Sequence, residues 1–325
     1  ADPKKMISPR LGISFPITDE GILHFSYGHF YQLPTLRRLY KTSIFGAGLS
    51  PSLGYADLKP EKTVNYEFGL QQQITKVMAI EINIFYKDIR DLLALQSIHY
   101  ESAKYGPSSY SIYLNKDYGS VQGFTFSLTK RYDPLTKLSA WTDYTYQVAD
   151  GNSVKSGSFF FNALTGEEEE KRIVPLGWDQ RHIMSATVMY GDPRKWSFSF
   201  IGKLSSGWPY TPDIPLANYV PESNSDTKPW QKNVNIRFQK TFKIGKFSLV
   251  AFIKVYNLFD TRNERYVFDD TGRSGYTFGN QSNQESAGLI SHYGEPGVHT
   301  WSEYMTRPHY YTAPRSASLG FTIEF

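Results

Sequence analysis

The chain ends in Arg315-Ser-Ala-Ser-Leu-Gly-Phe-Thr-Ile-Glu-Phe325, eleven residues that alternate apolar with small or polar side chains. Ala317, Leu319, Phe321, Ile323 and Phe325 share one face; Ser316, Ser318, Gly320, Thr322 and Glu324 share the other. A period of two with one greasy and one wet side is a β-strand pattern. A soluble sheet has little reason to finish on an exposed ring. A strand closing an outer-membrane barrel does, because its last aromatic sits well in the interfacial girdle.

Composition narrows the choice. With 325 residues, 16% aromatic and no Cys, the chain is long enough for one large all-β unit or two ordinary domains. A mean hydropathy of −0.43 and the lack of a long apolar run exclude a helical membrane span, but not a barrel whose strands are only half apolar. The missing Cys removes disulfide frameworks and thiolate metal sites, as befits a bacterial envelope protein. Thirty-five basic against 31 acidic residues, a formal charge of +4, is too balanced a surface for nucleic acid. Ala1-Asp-Pro-Lys-Lys5 has no apolar core behind it, so no signal peptide opens the chain.

Alternation predicts about eleven strands, near residues 10 to 16, 22 to 31, 62 to 74, 77 to 92, 118 to 131, 137 to 148, 181 to 190, 196 to 207, 231 to 243, 247 to 258 and 315 to 325. Short connections fall at Thr18-Asp-Glu-Gly21, Thr75-Lys76, Tyr132-Asp-Pro-Leu135, Gly191-Asp-Pro-Arg194 and Ile244-Gly-Lys246. All but Thr75-Lys76 carry the Gly, Pro or Asp of a tight turn. Long ones cover 32 to 61, 93 to 117, 149 to 180, 208 to 230 and 259 to 314. Turns that switch between short and long put every long loop at one end, a membrane-barrel asymmetry.

The faces sort by residue. Val64, Tyr66, Phe68 and Leu70 oppose Asn65, Glu67, Gly69 and Gln71; Ile80, Ile82, Ile84 and Tyr86 oppose Glu81, Asn83 and Lys87, with Phe85 breaking the rule. Trp196, Phe198 and Phe200 oppose Ser197 and Ser199, and Leu249, Ala251, Ile253 and Val255 oppose Ser248 and Lys254. A two-sheet sandwich would also bury one face per strand. Strand length argues against it, since several segments exceed the ~5 or 6 residues of globular strands and reach what a tilted strand needs to cross a bilayer. Aromatics also gather at segment ends, as at Tyr27, Tyr144, Tyr146, Trp196 and Tyr256, where an amphipathic ring meets both hydrocarbon and water. The expected fold is all-β, an antiparallel up-and-down transmembrane barrel.

Five further stretches carry a resemblance. Leu58-Lys-Pro-Glu61 running into Thr63-Val-Asn-Tyr-Glu-Phe-Gly-Leu70, Phe85-Tyr-Lys-Asp-Ile-Arg-Asp-Leu92, Trp178-Asp-Gln-Arg-His182, Ser206-Gly-Trp-Pro-Tyr-Thr-Pro212 and Val255-Tyr-Asn-Leu-Phe-Asp260, with the terminal Phe325, resemble the barrel of TonB-dependent outer-membrane receptors over nearly the whole chain. The likeness is nearest to the large receptors with an amino-terminal carboxypeptidase-regulatory-like domain. It implies a bacterial outer-membrane protein surrounded by outer-membrane lipid. It also implies a terminal strand, with Phe321, Ile323 and Phe325, that serves as the insertion signal read by the barrel-assembly machinery. Such receptors enclose a plug with a TonB-contacting segment in a barrel of about 22 strands, and nothing in residues 1 to 60 looks like either. An odd strand count also leaves a barrel with its amino terminus on the wrong side. Residues 1 to 325 are therefore expected to be the carboxy-terminal part of such a barrel, with eleven or, if 259 to 314 hides a hairpin, twelve strands.

Enzymatic chemistry finds no support. The seven His residues include no HExxH pair, no Gly-x-Ser-x-Gly elbow occurs, and Gly46-Ala-Gly48 lacks the third glycine of a nucleotide loop. No catalytic residue, metal site or cofactor is expected. His24, on the polar face with Ser26 and Gly28, reads as a hydrogen-bonding lumen residue, and Glu167-Glu-Glu-Glu170 as a solvated loop apex.

Binding is what the long loops support. The last is richest, with Tyr293, His299, Trp301, Tyr304, Arg307, His309, Tyr310 and Tyr311 as candidate ligand contacts; flat rings give contact area at small entropic cost, and Arg and His orient polar groups. The bland alternative is that these rings pack the loop on itself. Glu67, Glu81, Lys203, Arg237 and Lys254 read as lumen-facing charges, for an interior salt-bridge network or a plug. The resemblance implies uptake of a scarce small ligand with TonB-derived energy delivered through a plug outside this chain. The alternative is a non-transporting surface barrel whose loops bind a polymer or a protein partner.

Overall fold

A computed structural model describes residues 4–41, 52–102, 106–152, 172–213, 221–278 and 307–324. The strands are β1 (Arg10–Thr18), β2 (Gly21–Gln32), β3 (Ser52–Leu53), β4 (Glu61–Thr75), β5 (Met78–Ser102), β6 (Gly106–Asp133), β7 (Leu138–Gly151), β8 (Val174–Pro175), β9 (His182–Asp192), β10 (Trp196–Ser205), β11 (Pro209–Tyr210), β12 (Asp226–Thr227), β13 (Gln231–Ile244), β14 (Phe247–Tyr256) and β15 (Ser316–Glu324). One sheet runs in the order β1-β2-β4-β5-β6-β7-β9-β10-β13-β14-β15, with β3 against β6 and β8 against β7; β11 and β12 form a separate two-stranded pair. Among the described residues β1 and β15 each have one strand neighbour in this sheet. The chain divides into two compact units, Ala1–Leu70 with Asn83–Phe124 and Gln147–Asp179, and Gln71–Ile82 with Thr125–Tyr146 and Gln180–Phe325. No helix among the described residues is long and apolar enough to cross a membrane.

The eleven long strands are those the alternation predicts. One expectation is corrected. Residues 93 to 117 are not a long loop, because β5 continues to Ser102 and β6 begins at Gly106. At 25 and 28 residues these strands far exceed the ~9 to 11 needed to span a bilayer. Beyond the lipid a ladder can persist with water on both faces, and there the alternation that marks a strand fades. A short helix, α1 (Leu36–Tyr40), also lies within 32 to 61, where the sequence predicts only a loop.

The second unit shows how the tight turns share one end. Arg131 N–H donates to Val77 O at 2.8 Å, Gly191 N–H to Lys137 O at 2.9 Å, and Thr241 N–H to Lys195 O at 2.8 Å. Each bond ties one hairpin turn to its neighbour. At Thr75-Lys76, where the usual turn residues are missing, the Thr75 hydroxyl accepts the Val77 N–H at 3.3 Å.

Register fixes the faces. Ser197↔Gln239, Ser199↔Arg237 and Lys203↔Asn233 put the polar residues of β10 and β13 on one side, while Trp196, Phe198 and Phe200 lie on the other. Burial is inverted relative to a soluble sheet. Phe68 is 50% exposed and Phe321 64%, whereas Ser197 is 2% exposed. Large apolar side chains at the surface with a small polar residue beneath them suit a sheet facing hydrocarbon and reject the sandwich, whose greasy face would be covered. Phe85 breaks the alternation because it turns inward: with Ile89 it packs on Val121, Ala149 and Leu176, a buried apolar cluster of the first unit. Two glycines leave room for rings on the polar side. A Cβ at Gly69 would collide with the His24 ring, and one at Gly320 with Phe252, so both rings lie flat across the neighbouring strand.

Rings on the apolar face of the second unit form two belts. Near the turns, Tyr190 and Trp196 meet edge-on at 5.8 Å, and Trp196 approaches Phe238 at 6.5 Å. Near the loops, His182 stacks between Tyr144 at 6.2 Å and Trp230 at 5.5 Å, with Tyr146 at 5.3 Å. From Tyr190 to His182 along β9 is about 27 Å of strand at ~3.4 Å per residue, or roughly 20 Å of depth at a tilt near 40°. That spacing fits an interfacial aromatic girdle on either side of a hydrocarbon band.

Candidate functional site

The stretches that carry the sequence resemblance prove to be latches where strands pass into loops. Asn257 stands at φ 50°, a left-handed conformation that Asn tolerates, and is 3% exposed. Its Oδ1 accepts the Thr261 N–H at 2.9 Å, while Nδ2 donates to Thr261 O at 3.0 Å and to Ala313 O at 3.1 Å. Asp260 Oδ1 accepts the Arg315 N–H at 2.8 Å. Val255-Tyr-Asn-Leu-Phe-Asp260 thus pins both ends of the last loop. Ser206 and His182 do the same between β9 and β10, through Ser206 N–H to His182 O at 2.9 Å and His182 N–H to Ser206 Oγ at 3.1 Å. Asp179 Oδ1 takes the Ala149 N–H at 2.9 Å. In the first unit, Asn115 clamps Leu58-Lys-Pro-Glu61 by accepting the Lys59 N–H at 2.8 Å and donating to Lys59 O at 2.9 Å.

Above these latches the described parts of the last loop, 259–278 and 307–314, are tied together. Glu264 is 8% exposed; Oε1 receives Arg273 Nε at 3.0 Å and Nη2 at 2.7 Å, and Oε2 receives the Ser274 N–H at 2.6 Å. Burial pushes the Glu264 carboxyl up, but the hydrogen bonds and charge of Arg273 and the Ser274 N–H outweigh it and hold the group below its ordinary value. Asp270 Oδ2 gathers Thr277 Oγ1 at 2.5 Å and the Phe278 N–H at 2.7 Å. In the connection between β10 and β13, Tyr210 donates its hydroxyl to Asp226 at 3.0 Å. Burial, then that hydrogen bond and the charges of Asp226, Asp269 and Asp270, push the phenol up to about 12. Sequence reading missed these groups, although the density of Asp, Asn, Gly and Ser from 257 to 275 was the available sign of a built loop rather than a slack one.

Among the candidate ligand contacts, Arg307, His309, Tyr310 and Tyr311 are described, and the structure brings them together. Tyr310 lies against Phe268 at 5.2 Å, Tyr266 at 5.9 Å and His309 at 5.0 Å, with the Arg307 guanidinium 5.9 Å from its ring. Tyr311 bridges to the Glu264 backbone. Tyr310 is half-buried in this stack and His309 is exposed. Tyr293, His299, Trp301 and Tyr304 lie outside the described residues, as do Phe325, Glu167–Glu170 and Gly46–Gly48. Phe321 and Ile323 are exposed on β15.

The five charges expected in the lumen fall on the polar side. Glu67 accepts from Ser26 Oγ at 3.1 Å and Asn65 Nδ2 at 2.9 Å. Arg237 and Lys254 are register partners, and their cationic ends lie 4.9 and 5.1 Å from the Phe252 ring. Lys203 shares the face of Ser199 and Arg237. Glu81 lines a hollow of about 250 Å³ with Gln71 and Arg131, and Arg237 one of about 540 Å³ with Arg194 and Lys243. No cluster among the described residues could hold a metal ion.

A family model for the TonB dependent receptor-like β-barrel matches residues 2–258. The chain belongs to that family. Three solved structures illustrate the likeness of fold. The outer membrane transporter YddB from Escherichia coli is 16% identical with a TM-score of 0.62, covering 79% of this chain and 37% of its own. A point mutant of the ferric enterobactin receptor PfeA from Pseudomonas aeruginosa is 15% identical with a TM-score of 0.59, covering 97% and 39%. The siderophore receptor PirA from Acinetobacter baumannii is 16% identical with a TM-score of 0.53, covering 82% and 38%. The chain thus spans well under half the length of these structures. No curated protein sequence matches it. TonB-dependent receptor barrels are bacterial outer-membrane proteins and not enzymes.

Proposed function

We propose that this chain is the carboxy-terminal part of a TonB-dependent receptor barrel of about 22 strands that captures a scarce small ligand at its extracellular loops and admits it with TonB-derived energy, through a plug outside this chain. The observation that carries the reading lies in the described parts of the last loop: His309 and Arg307 are presented by the Tyr310 stack, and the ends of the loop are pinned to β14 and β15 through Asn257 and Asp260. A platform of rings that holds a guanidinium and an imidazole in place lowers the entropic cost of capture. Glu67, Glu81, Lys203, Arg237 and Lys254 then line the lumen, while Phe321 and Ile323 in the terminal strand meet lipid and the barrel-assembly machinery. The relatives named as ferric enterobactin and siderophore receptors suggest iron chelates as first probes.

The test uses the full-length protein in a host stripped of its own iron-chelate receptors. Purified protein is titrated with the periplasmic domain of TonB, and accumulation of radiolabelled ferric enterobactin is followed with and without TonB. Binding to TonB, with accumulation that stops when TonB is removed, is expected. A protein that folds in outer membranes, holds a ligand and yet ignores TonB is instead a non-transporting surface barrel.

A further inference from the structure

Arg237 and Lys254 oppose each other across β13 and β14 as register partners. Like charges placed directly opposite on one face of a sheet repel, yet both cationic ends lie against the same ring, 4.9 and 5.1 Å from Phe252, which is seated over Gly320. The ring attracts each cation but has no net charge to cancel either. Arg237 Nε is buried with no hydrogen-bond partner among the described residues, and neither side chain forms an ion pair among them. A buried donor of this kind is costly until something accepts from it.

The surrounding wall does not supply the missing charge. β10, β13 and β14 contain no Asp or Glu, while Lys203, Arg237, Lys243 and Lys254 share their polar face. Asp143 on β7, in the row of Ser185 and Lys203, accepts from Ser127 Oγ of β6 at 2.6 Å, away from β10. β15 adds one acid, Glu324, in the row of Ser248 and Lys243, six residues or about 20 Å of strand from the row of Lys254. Toward the turns the same face opens into the hollow of about 540 Å³, where Arg194, Arg237 and Lys243 stand among the neutral hydrogen-bonding side chains of Gln239, Ser248 and Thr322.

We propose that Arg194, Arg237, Lys243 and Lys254 form a binding site for a small solute that carries two or more carboxylate or phosphate groups. Cations spread along one hollow reach separate oxyanions, the guanidinium groups two oxygens at a time. The volume is that of a small-molecule site, whereas one Asp or Glu side chain entering it would answer one cation of four. The site rests on the reading of the polar face as the lumen. It lies on the strand wall and not in the Tyr310 stack, so it acts on a solute after the loops have released it.

Full-length protein, purified from outer membranes in mild detergent at low salt, is titrated by calorimetry with tricarballylate, a tricarboxylate, and with its neutral trimethyl ester. Tricarballylate should bind and be released as ionic strength rises; the ester should not bind. The variant R237Q/K254Q should weaken tricarballylate at least about tenfold, charge-assisted hydrogen bonds being lost, and Ser248→Glu, which puts a carboxylate into the hollow, should abolish binding. Because Arg237 and Lys254 repel each other, the double variant should keep heat-modifiable migration and a thermal midpoint close to that of wild type. Lys240→Gln, on the opposite face of β13, should bind as wild type does. Absence of tricarballylate binding, or equal binding by R237Q/K254Q, would overturn the assignment. So would a double variant that unfolds or melts far lower, since a carboxylate from elsewhere in the receptor would then already pair with these cations. The titration involves neither TonB nor an iron chelate, so its failure leaves TonB-dependent uptake standing.

Discussion

The latches at Asn257 and Ser206 and the last loop lie in the second unit and are built on opposite principles. At the latches, single side chains such as Asn257 and Ser206 satisfy backbone groups from two segments, so identity at one position decides whether the loop is anchored. In the loop, Tyr310, Phe268 and Tyr266 share one stack in which any ring can be replaced by another of similar size. The difference explains why the first kind of residue appears as a recognisable motif and the second does not. A motif can mark the scaffold of a recognition surface rather than the surface itself.

The largest effect expected is on the sheet that carries both regions. Ile82→Arg or Phe321→Arg should cost about 2 to 4 kcal/mol if the site is near the bilayer midplane, seen as lost heat-modifiable protein in outer membranes. Ser248→Arg and Thr322→Arg, on the polar face, should be tolerated far better. Equal damage to both sets would mean that both faces are covered, and the contrast between lipid and polar sides would go.

Asn257→Ala tests the latch itself. It removes three hydrogen bonds and places a Cβ without compensation in a left-handed conformation, for a loss of about 2 to 3 kcal/mol, measured by the urea midpoint in detergent micelles. Asn257→Gly should recover only the conformational share, roughly 1 kcal/mol. If both behave as wild type, anchoring is spread over the loop and the comparison fails.

Glu264 sharpens the loop side. Its folded carboxyl titrates below its unfolded value, so its contribution is complete above the unfolded value and is lost as pH falls through the folded one. Protection of the loop from added protease should hold from neutrality down to the ordinary Glu range and decline in more acid solution. Glu264→Gln should lower protection at neutral pH by about 1 to 2 kcal/mol and flatten that decline. A decline identical in both proteins would assign the acid sensitivity to other groups.

The smallest effect should come from Tyr210→Phe, which deletes one hydrogen bond to Asp226 worth about 1 kcal/mol or less. Ultraviolet titration should lose a phenol that ionises near 12. Retention of that phenol would place the high value on another tyrosine.

Much of the scaffold was legible in the sequence because a lipid-facing strand must keep a period of two, and all but one of the turns two to four residues long carry Gly, Pro or Asp. Where lipid no longer constrains the chain the signal weakened: the upper parts of β5 and β6 read as a loop, although the ladder runs on to Ser102 and starts again at Gly106. Phe85 broke the pattern for a local reason, the buried cluster with Val121 and Ala149, which no strand-by-strand reading could assemble. The loop was legible only as composition. The partnership of Glu264 with Arg273 joins residues across a turn of unpredictable path, and the belt of Tyr144, His182 and Trp230 joins three separate segments.

The tight turns set an order of assembly. Each hairpin closes on itself through a short turn, so the entropy of that closure is small, while long connections join most of the hairpins to the next. The clasps at the opposite end join distant segments, as Asn257 does with Ala313 across 56 residues, and gain nothing until β15 has paired with β14. The sheet can therefore be laid down hairpin by hairpin from its turns, and the surface that meets the outside world is the last to set.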